Sequence, residues 1–325
     1  MSSAAFDVLG IGNAIVDVIS RADDAFLARH ALAKGSMTLI DEARAETLYA
    51  AMGPGIEVSG GSCGNTMAGV ASFGGKGAYI GKVKQDQLGA VFGHDLKSIG
   101  VSFDTPQASS GPSTARCLIL VTPDAQRTMN TYLGACTGLG LVDIDSKVVS
   151  AAQVTYVEGY LWDAPEAKKA VLKAFDTAHA AGRLVSITLS DSFCVGRYRD
   201  EFRALIRDKV DILFGNEAEI TSLYEVDSFD KALEATRREA KIAALTRSEK
   251  GSVVIKGSET YAVPAAPVAK VVDTTGAGDL YASGFLYGFT RGKPLAECAR
   301  LGGIAAAEII SHVGARPEVA LSTLI

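Results

Sequence analysis

With 325 residues, 48% of them hydrophobic and 21% charged, the chain has the composition of a folded protein with room for a large α/β domain, and disorder is excluded. A net charge of -5 with no Lys/Arg cluster longer than a pair leaves no electrostatic footprint for nucleic acid, and no run approaches the ~18 uninterrupted apolar residues of a membrane span. Five scattered cysteines (Cys63, Cys117, Cys136, Cys194, Cys298), never in a CxxC pair, argue against a disulfide framework and a structural zinc site, so a small-molecule partner is expected.

The start, MSSAAFDVLG, lacks a basic n-region and runs directly into the strand-like FDVLGIG, so no secretory signal and cytoplasmic residence are expected. GIGNAI, Gly10 to Ile15, carries GxG but puts Ile15 where a dinucleotide fingerprint needs a third small residue; with no GxxxxGK[ST] anywhere, NAD binding and a Walker A NTPase both lose their warrant. Asp17 lies four residues after Asn13 inside an apolar strand, where a carboxylate needs a partner that two adjacent sugar hydroxyls would provide. VDVISRADDAFLARHALAKGSMTLID then breaks the rhythm. SGGSCGNTMAGVASFGG is a glycine turn entering a helix of small residues; it presents Ser62 and Asn65 beside a close-approach backbone, or uses Asn65 as an N-cap.

GAYIGKV, ARCLILV, VTYVEGY, LVSITLS, VDILFGN and SVVIKG continue the strand-like runs, with helical stretches between most of them, the alternation of a mainly parallel sheet. ARCLILVTPDAQRTMNTYLG reads as a hairpin around TPDAQ, and its Arg127 either reaches a phosphate or is a solvated surface group. In DAPEAKKAVLKAFDTAHAAG, Asp163 is the expected cap, Pro165 suits the first turn, Gly182 ends the helix, and Val171, Phe175 and Ala178 share one face. Asn216 and Glu219 of VDILFGNEAEI sit where a buried strand ends, so they either cap the next helix or hold water around Mg²⁺. The strand-like YAVPAAPVAKVVD leads through TTGAGD into the helical LYASGFLYGFTRG. Gly276 and Gly278 there make either an anion-binding loop or a tight turn, and Asp279 is either a cap or the base of a phosphoryl transfer.

DTTGAGD and GGSCGNTMAGVASFGG, in this order relative to the chain ends, resemble the C-terminal and N-terminal signatures of the ribokinase (PfkB) family of carbohydrate and nucleoside kinases, a resemblance covering nearly the whole chain. It implies a doubly wound α/β sheet in a single kinase domain over 1–325, with a small β-sheet lid from segments near 13–40 and 110–135. It further implies Asp279 as the base and Gly276, Ala277 and Gly278 as the anion hole, with Arg127 a further candidate beside the phosphate. Asn216, Thr246, Ser248, Gly251 and Thr275 fall on the ATP side, Glu219 on Mg²⁺ through water, and Asp273 and Thr275 at positions that bind a monovalent cation such as K⁺ in some members.

GN-x-x-x-D (Gly12, Asn13, Asp17), GGS-x-x-N (Gly60, Gly61, Ser62, Asn65), DILFGNE and LSDSF look like the adenosine kinases of that family, and EGYLWD adds Tyr160 on the acceptor side. The implied activity is ATP-dependent phosphorylation of a nucleoside 5′ hydroxyl, adenosine to AMP, by a monomer or homodimer. A sugar kinase acting on ribose, fructose or a sugar acid is the alternative. A non-catalytic nucleoside-binding relative is a third, and the retained Asp279 with its intact glycine loop speaks against it.

Overall fold

Strands that are apolar on both faces bury themselves only when helices cover both sides of one sheet. The computed structural model describes residues 4–124 and 126–325; Met1–Ser3, at the head of MSSAAFDVLG, and Ala125, in the TPDAQ turn, lie outside the described residues. The strands are β1 Phe6–Ile11, β2 Ile15–Arg21, β3 Met37–Leu39, β4 Gly55–Gly60, β5 Gly77–Ile80, β6 Val101–Phe103, β7 Ala115–Val121, β8 Arg127–Tyr132, β9 Ala152–Glu158, β10 Leu184–Thr188, β11 Ile212–Asn216, β12 Ile242–Thr246, β13 Ser252–Lys256 and β14 Glu259–Val263. The helices are α1 Asp24–Arg29, α2 Glu42–Ala51, α3 Ser62–Ser72, α4 Gln87–Ser98, α5 Ser146–Ser150, α6 Pro165–Ala180, α7 Ser192–Asp208, α8 Glu217–Tyr224, α9 Phe229–Glu239, α10 Ala277–Thr290 and α11 Leu295–Ile309.

Nine strands form the large sheet in the order β14-β13-β12-β11-β10-β9-β1-β5-β6, parallel throughout except for the β12-β13-β14 edge. The period of two along each strand divides its side chains between two cores. Leu9, Val157, Ile187 and Leu213 join Trp162, Phe175 and Phe202 in one. Val8, Tyr156 and Phe214 join Met67, Tyr281 and Phe285 in the other. Full burial of each such side chain contributes about 2 kcal/mol.

From β1 the order runs outward in both directions, through β5 and β6 on one side and through β9 to β12 on the other. The crevice at such a reversal opens beyond the C-terminal strand ends, which is where open α/β sheets hold ligands. Gly12, Asn13, Glu158, Ser190, Asn216 and Thr246 all sit at those ends.

A second sheet, β3-β8-β7-β2-β4, holds the other five strands. The irregular stretch after Asn13 supplies β2, α1 and β3, and β7 and β8 are the expected antiparallel hairpin. β4 was not anticipated as part of this sheet, because GIEVSG has glycine at both ends and a charged residue between; it pairs only with β2, as an edge strand.

Two local expectations are corrected. The cap of α6 is Ala164, with no side-chain hydrogen bond, because Asp163 is engaged by Arg197 at 2.8 Å. Of YAVPAAPVAKVVD only Tyr261–Val263 is strand; Pro264 and Pro267 have no N–H to give a ladder, and the chain from 264 to 276 is irregular. Among the described residues no helix is long and apolar enough to cross a membrane.

Candidate active site

Helix α10 begins with its first amides turned toward the crevice. Its N-cap Gly276 takes φ of 78°, a left-handed conformation open to glycine and costly for other residues. The Ala277 N–H is already bound to the Thr274 carbonyl at 3.2 Å, so Ala277 drops out of the expected anion hole. The next two N–H groups, of Gly278 and Asp279, meet no backbone carbonyl among the described residues. A Cβ on Gly278 would find nothing within 4 Å, so this face is open. Two free amides at the positive end of a 14-residue helix are an arrangement able to receive an anion.

Asp279 is the third residue of that helix, and its carboxylate joins parts of the chain more than 200 residues apart. Ser62 Oγ donates to its Oδ1 at 2.6 Å, and Asn65 Nδ2 donates to its Oδ2 at 2.9 Å. Burial pushes the Asp279 carboxyl up to about 6; the two hydrogen bonds and the Arg316 charge oppose that, and Asp17 adds to it. Asn65 lies inside α3 and is not its cap, and its Oδ1 is buried with no partner among the described residues. Such an orphan acceptor calls for a donor from a ligand.

The turn that aims Ser62 and Asn65 depends on its two glycines. Gly61, the N-cap of α3, has φ of 82°, and a Cβ there would lie 2.5 Å from the Asn13 carbonyl oxygen. On Gly60 it would lie 2.4 Å from the Asp17 carboxyl carbon. Gly61→Ala is therefore expected to lose more than about 1 kcal/mol of stability, read as a lower melting temperature, with activity falling further as Ser62 and Asn65 shift.

Asp17 lies on β2 and accepts no hydrogen bond from any described residue, although burial pushes it up to about 6 against the charges of Arg316 and Arg127. Asn13, expected beside it as a ligand contact, instead packs into the protein. Its backbone N–H and Nδ2 donate to Glu158 Oε1 at 2.9 and 2.7 Å, while Cys63 N–H donates to Glu158 Oε2 at 2.9 Å. Glu158, 1% exposed and pushed up to about 7 by burial, thus ties the end of β1 to the start of α3. It and Arg316 are the site residues that the sequence reading missed. Tyr160 follows in the same turn, its hydroxyl near the Ser190 carbonyl at 3.4 Å and its ring partly packed against the core.

Beside the start of α10 lies an open cleft lined by Ser62, Asn216, Glu219, Thr246, Gly278 and Asp279 among others. Asn216 and Glu219 form a reciprocal cap on α8: Glu219 N–H donates to Asn216 Oδ1 at 2.9 Å, and Asn216 Nδ2 donates to Glu219 Oε1 at 2.6 Å. Burial pushes Glu219 up to about 7, and the Asp191 and Asp279 charges add to that.

Ser248 and Gly251 do not line this cavity. They form the β12–β13 turn, where Gly251 N–H donates to the Ser248 carbonyl. Thr275 donates from N and Oγ1 to Asp273 Oδ1, whereas Asp273 Oδ2 accepts from Gly314 N–H and from the Arg127 guanidinium. Arg127, expected near a phosphate, and Asp273, expected at a cation, are thus brought together as an ion pair.

A model of the pfkB carbohydrate kinase family matches residues 54–320. Two solved structures superpose on the chain with a TM-score of 0.91, each over 99% of it and 98% of their own length: adenosine kinase from Sinorhizobium meliloti, 55% identical, and a probable sugar kinase from Rhizobium etli, 54% identical. Adenosine kinase of Saccharomyces cerevisiae is 26% identical over 94% of both chains.

Proposed function

Because the chain belongs to the pfkB family of carbohydrate kinases and is a phosphotransferase with an alcohol acceptor, we propose that its acceptor is a nucleoside, adenosine, phosphorylated on the 5′ hydroxyl by ATP. The observation that carries this reading is the pairing of Asp279 with Ser62 and Asn65 in one site with the unpartnered carboxylate of Asp17. Asp17 takes the ribose 2′ and 3′ hydroxyls as donors, and Asp279 faces the 5′ hydroxyl and accepts its proton as the oxygen attacks the terminal phosphorus. The developing charge on the phosphoryl oxygens falls on the Gly278 and Asp279 amides, which are preorganised by the helix. The rest of ATP lies along the cavity toward Asn216 and Thr246.

Mg²⁺, if bound with ATP, would supply charge neutralisation of the phosphates. Among the described residues no three His, Cys, Asp or Glu side chains gather into a metal cage, and Glu219 beside Asp279 fits the ion through water, as Mg²⁺ prefers.

The second sheet favours a nucleoside over a free sugar. Asp17 is in register with Val58 and Cys117, and Cys117 with Thr131. Two residues along on the same face, Ile19 aligns with Ile56 and Ile119, and Ile119 with Met129, which aligns with the exposed Met37. One carboxylate on an otherwise mostly apolar face suits a ligand with a diol at one end and a flat apolar ring at the other. A free hexose carries hydroxyls all round it. The sheet acts as the lid of this site, closing over the acceptor to exclude water.

ADP release measured with a panel of nucleosides and sugars tests the assignment. Turnover with adenosine well above that with ribose or fructose is expected; the reverse order makes the protein a sugar kinase, as the Rhizobium etli relative is described.

A further inference from the structure

After α11 the chain turns back toward the glycine turn that precedes α3. Glu308 Oε1 accepts from the N–H groups of Glu318 and Val319 and pairs with His312 at 3.1 Å, while Gly314 N–H donates to Asp273. Pinned at both ends, this loop delivers Arg316 to the glycine turn. Arg316 Nε donates to the Ser59 carbonyl at 2.9 Å, Nη1 to the Gly64 carbonyl at 2.5 Å, and Nη2 to Ser59 Oγ at 3.0 Å. Ser59 N–H in turn donates to Asp95 on α4 at 2.8 Å. The guanidinium thus holds the carbonyls on both sides of the segment Gly60–Cys63, which carries Gly61 and Ser62 and runs on to Asn65. A lysine has no planar fork with which to hold three such acceptors at once.

We propose that Arg316 is a positioning residue for phosphoryl transfer: it clamps the turn that presents Ser62 and Asn65 to Asp279, and it is the positive charge that Asp17 and Asp279 share. The inference rests on the reading of Asp279 as the base. Both roles follow from one location. Ser62 and Asn65 orient the Asp279 carboxylate only while their turn is held, and two carboxylates in a largely dry site remain ionised together only with a cation nearby. The groups whose charges bear on Asp279 or on Arg316 are few. Asp17 on β2 and Asp95 from α4 add negative charge, Glu158 at the end of β9 and Glu219 on α8 add it only as pH rises past about 7, and Cys63, Tyr79, Tyr156 and Tyr160 are buried and neutral. Arg316 lowers the proton affinity of both carboxylates, and Arg127 assists only at Asp17.

The test compares full-length wild type, Arg316→Met, Arg316→Lys and Asp279→Asn by ADP release with adenosine between about pH 5 and 9, after a melting curve of each. Arg316→Met is expected to move the acid limb of kcat/KM up by about one pH unit, the reverse of what an arginine neighbour does to an aspartate. A loss of about tenfold at pH 8, where the carboxylates are ionised, reports the unclamped turn. Arg316→Lys returns the limb toward its wild-type position but recovers less of the loss at pH 8. If the Met variant does not fold, Arg316→Gln, which keeps donors but no charge, takes its place. A limb that stays in place in a folded neutral variant, with Asp279→Asn inactive, overturns the proposal for Arg316 alone. Near-normal turnover in Asp279→Asn overturns the base instead.

Discussion

Asp279→Asn is expected to lower turnover by about 10²- to 10⁴-fold, the span of general-base catalysis, while the melting curve still shifts on adding adenosine. The amide keeps the shape of the side chain and can still hydrogen-bond Ser62, but it cannot take the proton of the attacking hydroxyl. The two free amides at the start of α10 are backbone groups and remain in place, so the residual rate reports what positioning and charge stabilisation achieve alone. The wild-type pH profile should agree with this. Asp279 is pushed up to about 6, so it is mostly ionised at pH 7.5 and mostly protonated at pH 5, and turnover falls with pH below that point. A variant with near-normal turnover, or a wild-type rate flat down to pH 5, assigns the proton to another group.

The parts of this site legible in the sequence are those that chain chemistry fixes locally. Gly276, Gly278 and Asp279 stand out because a glycine loop enters a helix there, although a tight turn and a helix cap fit the same letters, and Asp17 because a carboxylate in an apolar strand needs a partner. What stayed hidden is long-range. Nothing near Arg316 in GARP marks it as the neighbour of Ser59, 257 residues earlier, and nothing in EGYLWD shows that Glu158 seats Asn13 and Cys63. The pairing of Arg127 with Asp273, 146 residues apart, is invisible for the same reason, so the sequence left Arg127 between a phosphate contact and a solvated surface group and placed Asp273 at a cation. In the fold, the large sheet followed from alternating apolar runs. β4 and the short strand β3 belong to the second sheet through pairing partners, not through their own residues.

Asp17→Asn separates binding from stability by moving them in opposite directions. A charged acceptor that loses two hydroxyl donors gives up about 1.5–3 kcal/mol per hydrogen bond, so kcat/KM for adenosine should fall by about 100-fold or more, carried mainly by KM because Asp17 does not touch the reacting atoms. Stability should rise. The Asp17 carboxyl titrates near about 6 in the folded protein against an ordinary 3.8, so between those values the folded state binds the extra proton. Stability from this group is therefore greatest below about pH 4, falls as pH climbs toward 6, and stays reduced above it. Asparagine has no such dependence and keeps the shape. Its melting temperature should exceed the wild type's at pH 8, by a margin worth about 1–2 kcal/mol once partial exposure is allowed for, and match it near pH 4. An equal margin at both pH values would mean that the gain does not come from the charge. No gain at pH 8 would mean that the free protein already gives this carboxylate a partner, and that adenosine has to displace it.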